Sequence, residues 1–527
     1  MKKTLAILLS MIMVVSMLVG CSSGSKAAKD SGVGSTDTAG KAASGSVDDG
    51  KADGNLGDGE SSQAAGEIQT INVIAPGASD MADAEAVVER MNEITRKTIG
   101  IEAKITFIAT GVWSEQTNLI LSGGEVVDLM PWYNTTISTL VANGQAMALD
   151  SYYEANKEVL DSIVGEKFIN VGRVNGQLYG IPTAGERGGG MGFVMRKDIF
   201  EETGFDKAEV KDLDSLYKVL KKAQELHPEM DIVIPQNSSM LILDPYHQID
   251  NLGDELGVLM DAGQSTHVEN YYETEEFRSF CETMNQWYEE GLIMKDALNN
   301  TAGFYIVPMR AGNSVGAFAA YNVYPEEGAT RLCQYEMVQF PLSGIYSSNK
   351  NASCYWGIPA SSANPDAAFK YLMELETNAE LSTLLCCGIE DVNYIYTDKS
   401  QYNGVIDYPE GVDGTSSGYA TGLQWMMPNE FLVPVWAPNP ADYWEACKQL
   451  NESAVVSKAL GFVYDNTEVI NQVTACTNVV SKYKWALMAG AAGDVTSALQ
   501  KFNEELKAAG IDDIITAKQS QLDAFLK

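Results

Sequence analysis

One stretch near residue 180 constrains this chain more than any other. Asn175 to Thr183 reads Asn-Gly-Gln-Leu-Tyr-Gly-Ile-Pro-Thr, a short apolar run. Proline has no N–H for a ladder, so a strand reaching Pro182 must stop there or lie at a sheet edge. Gly185, Gly188, Gly189 and Gly190 surround Glu186-Arg187 and let the backbone bend where side chains forbid it. After a second apolar run, Arg196-Lys197-Asp198 opens a helix with a carboxylate where helix N-termini favour negative charge. A longer amphipathic segment, Leu213 to Leu226, ends before Pro228. Strand, glycines, strand and helix in this order describe a chain crossing between two lobes. At 527 residues the chain exceeds what a single core organises, so two or more lobes are expected anyway.

The segments before the crossing define one lobe. Ile68 to Ala75 reads as a strand closed by Pro76-Gly77, and Asp80 or Asp83 caps the helix that follows. Ile101, Ala103, Ile105 and Phe107 alternate as a second strand. Trp113 to Leu121 is helix-like, and Val126 to Met130 is a third strand. Strand–helix–strand–helix–strand predicts a parallel sheet with covering helices. Leu140 to Leu149 reads as helical. Beyond the crossing, helices are expected from Leu213 to Leu226 and from Thr274 to Glu290, with a loop at Asp244 to Tyr246. Strands are expected at Val315 to Tyr321 and Met337 to Pro341. Ser353 to Pro359 is a second crossing, and a helix begins near Asn364-Pro365. Gly, Pro and Asn make 403–440 irregular. In the tail, Leu499, Phe502 and Leu506 share a helix face, Gly510 stops that helix, and Ile514, Ile515, Leu522 and Phe525 continue the pattern.

The formal net charge of −35 argues against nucleic acid and anionic lipid as partners. Three histidines leave little room for imidazole chemistry. No Cys-x-x-Cys occurs among the eight cysteines, and Cys386-Cys387 falls in an apolar helical run where thiols act as small hydrophobes. No nucleophile-elbow, zinc-helix or phosphate-loop motif is present. With 71 acids, any chosen carboxylate pair is uninformative by itself.

Lys2-Lys3 precede an apolar run from Leu5 to Val19, a secretory signal too short to span a bilayer comfortably. Residues 22–66 hold Val33, Val47 and Leu56 as their only larger aliphatics, so no core forms and a tether reaching roughly 35–40 Å is expected. Inside it, Asp49, Asp53, Gly54 and Glu60 fit a calcium-loop pattern, but Lys51 takes a ligand position and no helices flank it, so no metal is assigned.

Several words in order resemble a known family. Gly-Ile-Pro, the following apolar strand and Arg-Lys-Asp resemble the lobe crossover of extracellular solute-binding proteins of ABC importers. Gly-Gly-Glu-Val-Val-Asp-Leu (Gly123 to Leu129), Tyr321 to Pro325 and the strand leading to Asn364-Pro365 resemble the same family. Gly388 to Tyr394 does too, although Asp391 stands where the family tends to have glycine. Gly461 to Asp465 and Lys507 to Ile511 resemble the C-terminal region of one branch of oligosaccharide-binding lipoproteins. Leu18-Val19-Gly20-Cys21 resembles a bacterial lipobox, which implies lipidation at Cys21.

The resemblance implies an α/β, two-lobed periplasmic-binding-protein-like fold with hinge-linked parallel-sheet lobes and a helical C-terminal region. The expected divisions are a signal peptide at 1–20 and a lipid-anchored linker at 21–66. Lobe 1 is expected at 67–183 plus about 353–430, and lobe 2 at 184–352 plus about 431–527, helical from about 458. It implies a monomeric carrier without catalysis or cofactor, held on the extracellular face of the membrane. Its partners would be a carbohydrate ligand and the transmembrane subunits of an ABC permease. Some relatives are labelled for acidic xylan fragments, and Arg187 is the side chain that would meet a uronate. A lipid-anchored glycoside hydrolase, a sugar sensor for a membrane kinase and a peptide carrier remain alternatives.

A sugar site needs flat ring faces for C–H surfaces and planar polar groups for hydroxyl rims. The loops supply Trp132, Tyr133, Glu186, Arg187, Tyr321, Trp356, Asp391, Tyr394, Trp425 and Asn429 as candidates. Trp287, Trp444 and Trp485 lie on helices and are expected in the core.

Overall fold

The computed structural model describes residues 67–133, 135–234, 248–299, 305–349, 354–422 and 424–527. The signal segment, Cys21, the tether with its calcium-loop pattern, Asn134, the loop at Asp244 to Tyr246, Ser353 and Leu423 lie outside them.

The first sheet grows from the alternating segments. Strand β1 (Gln69–Pro76) and β2 (Ile101–Ile108) flank helix α1 (Ala84–Thr98) and pair in parallel, Gln69 opposite Ile101. Helix α2 (Trp113–Gly123) leads to β3 (Met130–Trp132), tied to β1 by a parallel bridge between Val73 and Leu129. The expected helix at 140–149 is absent as such. Ile137–Ala142 is helical, Gly144 turns the chain at φ +64°, and a new helix starts at Asp150. Strand β4 (Ile181–Pro182) lies at an edge, as a proline-bearing strand must.

The chain then builds a second sheet. Strand β5 (Gly190–Arg196) runs into α3 (Lys197–Thr203), and α4 (Leu213–Leu226) follows. Asp212 caps α4 in a capping box with Ser215. Next come β6 (Asp231–Val233), α5 (Glu275–Glu289), β7 (Ser314–Tyr321), α6 (Pro325–Cys333), β8 (Met337–Pro341) and the short β9 (Tyr346–Ser347). The strand order is β8-β5-β7-β6. β5 is antiparallel to β8 and β7, and β7 is parallel to β6, so this sheet is mixed. Phe193, Phe318 and Phe340 project from it against Trp287, Leu216 and Leu220. Burial of each such ring contributes about 2–3 kcal/mol.

Strand β10 (Tyr355–Gly357) returns to the first sheet, antiparallel between β3 and β4, followed by α7 (Pro365–Thr377) and α8 (Ala379–Cys387). Residues from 431 onward do not leave this lobe at once. Val433 and Val435, with Trp444 and Cys447 of α9 (Tyr443–Ser453), pack in the core built on Ile71, Val73 and Leu129. The expected boundary near 431 therefore differs from the packing, because apolar side chains on α9 complete the first core.

Strand β11 (Val455–Val456) then crosses, beside β9 in parallel. Helices α10 (Ile470–Met488), α11 (Val495–Ala509) and α12 (Ile511–Phe525) close the second core through Phe502, Leu506 and Ile514. Gly510, at φ +98°, breaks α11 from α12.

Candidate functional site

Three crossing segments lie side by side. Gly189 exchanges backbone hydrogen bonds with Tyr346, and β9 pairs with β11. Asn451, at the end of α9, fastens the first of them. Its Oδ1 accepts from the N–H of Arg187 and of Gly188, both at 2.7 Å, and its Nδ2 donates to the Gly185 carbonyl at 2.8 Å. The glycines serve close approach here. A Cβ on Gly185 would lie 2.1 Å from Glu430 Oε1, and one on Gly190 would lie 2.7 Å from the Gly344 carbonyl. Neither has positive φ.

At this junction a cavity of about 330 Å³ opens, toward the small end of typical ligand clefts. Thr183, Glu186 and Glu430 form part of its wall from the crossing and the turn beside it. Asn322, just past β7, comes from the second sheet. Gln424 and Trp425 come from a short 3₁₀ turn, Tyr443 and Trp444 from the start of α9, and Cys354 precedes β10. Trp425 is 43% exposed and meets the Tyr133 ring edge-on at 5.0 Å. A neighbouring groove of about 400 Å³, between Tyr324 and Gln449, is more open and has neither a tryptophan nor a carboxylate in its wall.

The polar wall is acidic. Tyr443 Oη donates to Glu186 Oε2 at 3.3 Å, and Asn322 also bonds the Glu186 carboxylate. Burial pushes Glu186 up to about 7, while those two hydrogen bonds pull it back down. Glu430 is pushed well above the carboxylate range by burial and then by the charge of Glu186, with Arg187 pulling the other way. Behind it, Glu376 at the C-terminal end of α7 is 1% exposed. Neither of its carboxyl oxygens has a hydrogen-bond partner, and burial raises it to about 8 against the pull of Arg187. Burial in turn lowers Arg187 to about 10, and Glu430 and Glu376 support its charge.

The structure gathers Glu186 and Trp425 on the cavity wall with Tyr133 against Trp425, and distributes the other expected residues elsewhere. Trp132 is in β3, 1% exposed, its indole N–H donating to the Tyr179 carbonyl at 2.9 Å. Trp356 is fully buried and donates to the Met426 carbonyl. Both rings fill the first lobe because β3 and β10 are covered on both faces. Arg187 is buried, its guanidinium donating to the carbonyls of Val164 and Thr183 over the Phe168 ring. Asn429 is buried and donates to the Glu376 carbonyl. Tyr394 is buried edge-on to Tyr396, and Asp391 holds the adjacent turn in a left-handed conformation, φ +63°. Tyr321 ends β7 next to Asn322.

Asn322 and Glu430 belong to the loops that the sequence offers with Tyr321 and Asn429, whereas Gln424 and Tyr443 were not singled out by the sequence. Tyr443 precedes a core tryptophan on a helix, and nothing local separates it from that core. Among the described residues no group of three or more His, Cys, Asp or Glu is placed to hold a metal ion. The seven cysteines among the described residues are all buried.

Residues 89–385 match the family described as bacterial extracellular solute-binding protein, and residues 458–527 match a domain of unknown function. A carbohydrate ABC transporter substrate-binding protein of Streptococcus pneumoniae is 24% identical over 453 residues, which are 83% of this chain and 87% of that one. The crystal structure of the N-glycan transport solute binding protein NgtS from the same organism superposes with a TM-score of 0.76 at 21% identity. It covers 87% of this chain and 99% of the other. The Streptococcus pneumoniae binding protein FusA in complex with kestose gives 0.61 at 14% identity, covering 87% and 99%.

Proposed function

Since the chain belongs to the bacterial extracellular solute-binding proteins, we propose that it captures an oligosaccharide between its lobes and delivers it unchanged to an ABC permease. The observation that carries the carbohydrate reading is the cavity at the crossing segments. An exposed tryptophan face stands there beside amide, hydroxyl and carboxyl edges drawn from both sheets. A pyranose offers its C–H face to such a ring and its hydroxyls to such edges. Asn322, beside the second sheet, and Tyr443, on the helix α9 that packs on the first core, meet on Glu186, so a ligand displacing these bonds acts on both lobes at once. The carbohydrate transport named for the Streptococcus pneumoniae relative supports the reading.

The pair Glu186 and Glu430 in one cavity is the feature a glycoside hydrolase would also need. Hydrolysis requires one carboxyl to stay ionised while its neighbour is protonated. Burial raises both here, which suits them to hold hydroxyl groups. The anchor is part of the same proposal. Cys21 directly follows an apolar export segment, and an acylated cysteine would keep the carrier beside its permease.

Calorimetric titration with neutral and acidic oligosaccharides tests the reading, with chromatography of the recovered sugar. Binding is expected, the sugar returns intact, and Trp425→Ala weakens it by about 1–3 kcal/mol, the range for a ring platform. Silence across the panel, or cleaved product, would overturn it.

A further inference from the structure

The cavity contains a selectivity rule that its family membership does not specify. Resting on the carbohydrate reading above, we infer that the site accepts uncharged oligosaccharides and rejects those carrying a uronate. Two of its wall residues are carboxyls, Glu186 and Glu430, and Glu430 is 7% exposed. Among the described residues, no lysine, arginine or histidine lines it.

Arg187 is the cation nearest in sequence, and it is committed elsewhere. Its guanidinium donates to the Val164 and Thr183 carbonyls and lies 4.4 Å from the Phe168 ring centroid. It is also the positive charge that offsets Glu430 and Glu376 inside the lobe. Turning it toward a ligand would take the donors from the Val164 and Thr183 carbonyls.

A uronate entering this cavity would therefore meet carboxyl groups with no cation among the described residues to pair it, which is the costly way to bury a charge. The whole chain adds to this, with 71 acidic against 36 basic residues. A neutral sugar meets the opposite situation. Its hydroxyls donate to the carboxyl oxygens of Glu186 and Glu430, while Thr183, Asn322 and Gln424 offer both donors and acceptors.

The test is a competition series on the purified protein at mildly alkaline pH, where Glu186 is ionised. The neutral probes are xylotetraose, cellotetraose, mannotetraose and N-acetylchitotetraose. The anionic probes are tetragalacturonate and an aldotetraouronic acid. Neutral probes should bind, and every uronate probe should bind at least about tenfold more weakly than the best of them. Glu186→Gln, which removes the ionised carboxylate, should narrow that ratio severalfold. A uronate probe that binds as tightly as the neutral ones, or a ratio unmoved in Glu186→Gln, overturns the selectivity rule and leaves the carbohydrate reading standing. Silence of all six probes overturns the carbohydrate reading and the rule with it.

Discussion

Glu376 offers the sharpest test of the electrostatics beneath the site. Its carboxyl is 1% exposed, lacks a hydrogen-bond partner at either oxygen, and sits at the C-terminal end of α7, where a negative charge is disfavoured. Its folded pKa is raised from 4.5 to about 8 by burial, against the attraction of Arg187. The sign follows from linkage. Below the free value both states hold the proton, and the group costs nothing. Between the free value and the folded one the unfolded chain releases a proton that the native state keeps, so stability falls as pH rises; above the folded value the loss is constant. At 1.36 kcal/mol per unit, the loss is about 1 kcal/mol at pH 5 and about 3 kcal/mol at pH 7. Glu376→Gln keeps the shape and cannot ionise. It should therefore gain about 2–3 kcal/mol on wild type between those two pH values, read from urea unfolding of both proteins. An equal difference at both pH values would refute the reasoning. So would a variant less stable than wild type at pH 7, because Glu376 would then be an ionised partner that Arg187 requires.

The crossing segments make further predictions. Asn451→Ala removes three hydrogen bonds to the backbone of Gly185, Arg187 and Gly188, and should cost about 2–4 kcal/mol in chemical unfolding. Gly185→Ala places a Cβ 2.1 Å from Glu430 Oε1, so the carboxyl must move. Stability should fall by about 1–3 kcal/mol and sugar affinity with it, both visible in thermal shift with and without ligand. Cys21→Ser should lose incorporation of labelled palmitate and shift the protein from the membrane fraction to the medium.

Much of the scaffold was legible because local pattern and tertiary burial agree there. Period-2 alternation at Ile101 to Phe107 and the amphipathic run Leu213 to Leu226 became a strand and a helix at those positions. The edge placement of Pro182 followed from a missing N–H. The family words located the crossing, and Asp391, where the resembling family tends to have glycine, takes a left-handed conformation. The site was only partly legible. Trp132 and Trp356 look like loop platforms in sequence, yet β3 and β10 bury them from both sides, a fact set by segments more than 200 residues apart. Glu376 sits in a helix with ordinary spacing, and nothing local marks a carboxyl that Arg187 and Asn429 enclose from distant loops. The helix expected over 140–149 breaks because Gly144 adopts positive φ, and glycine alone does not announce that choice.

Capture of a sugar at the crossing segments is tested most directly by a structure with bound neutral oligosaccharide. Capture there predicts a ring stacked on Trp425 beside Tyr133, with hydroxyls bonded to Glu186 and Asn322. Sugar seated instead in the open groove at Tyr324 and Gln449, with Trp425 untouched, would contradict it.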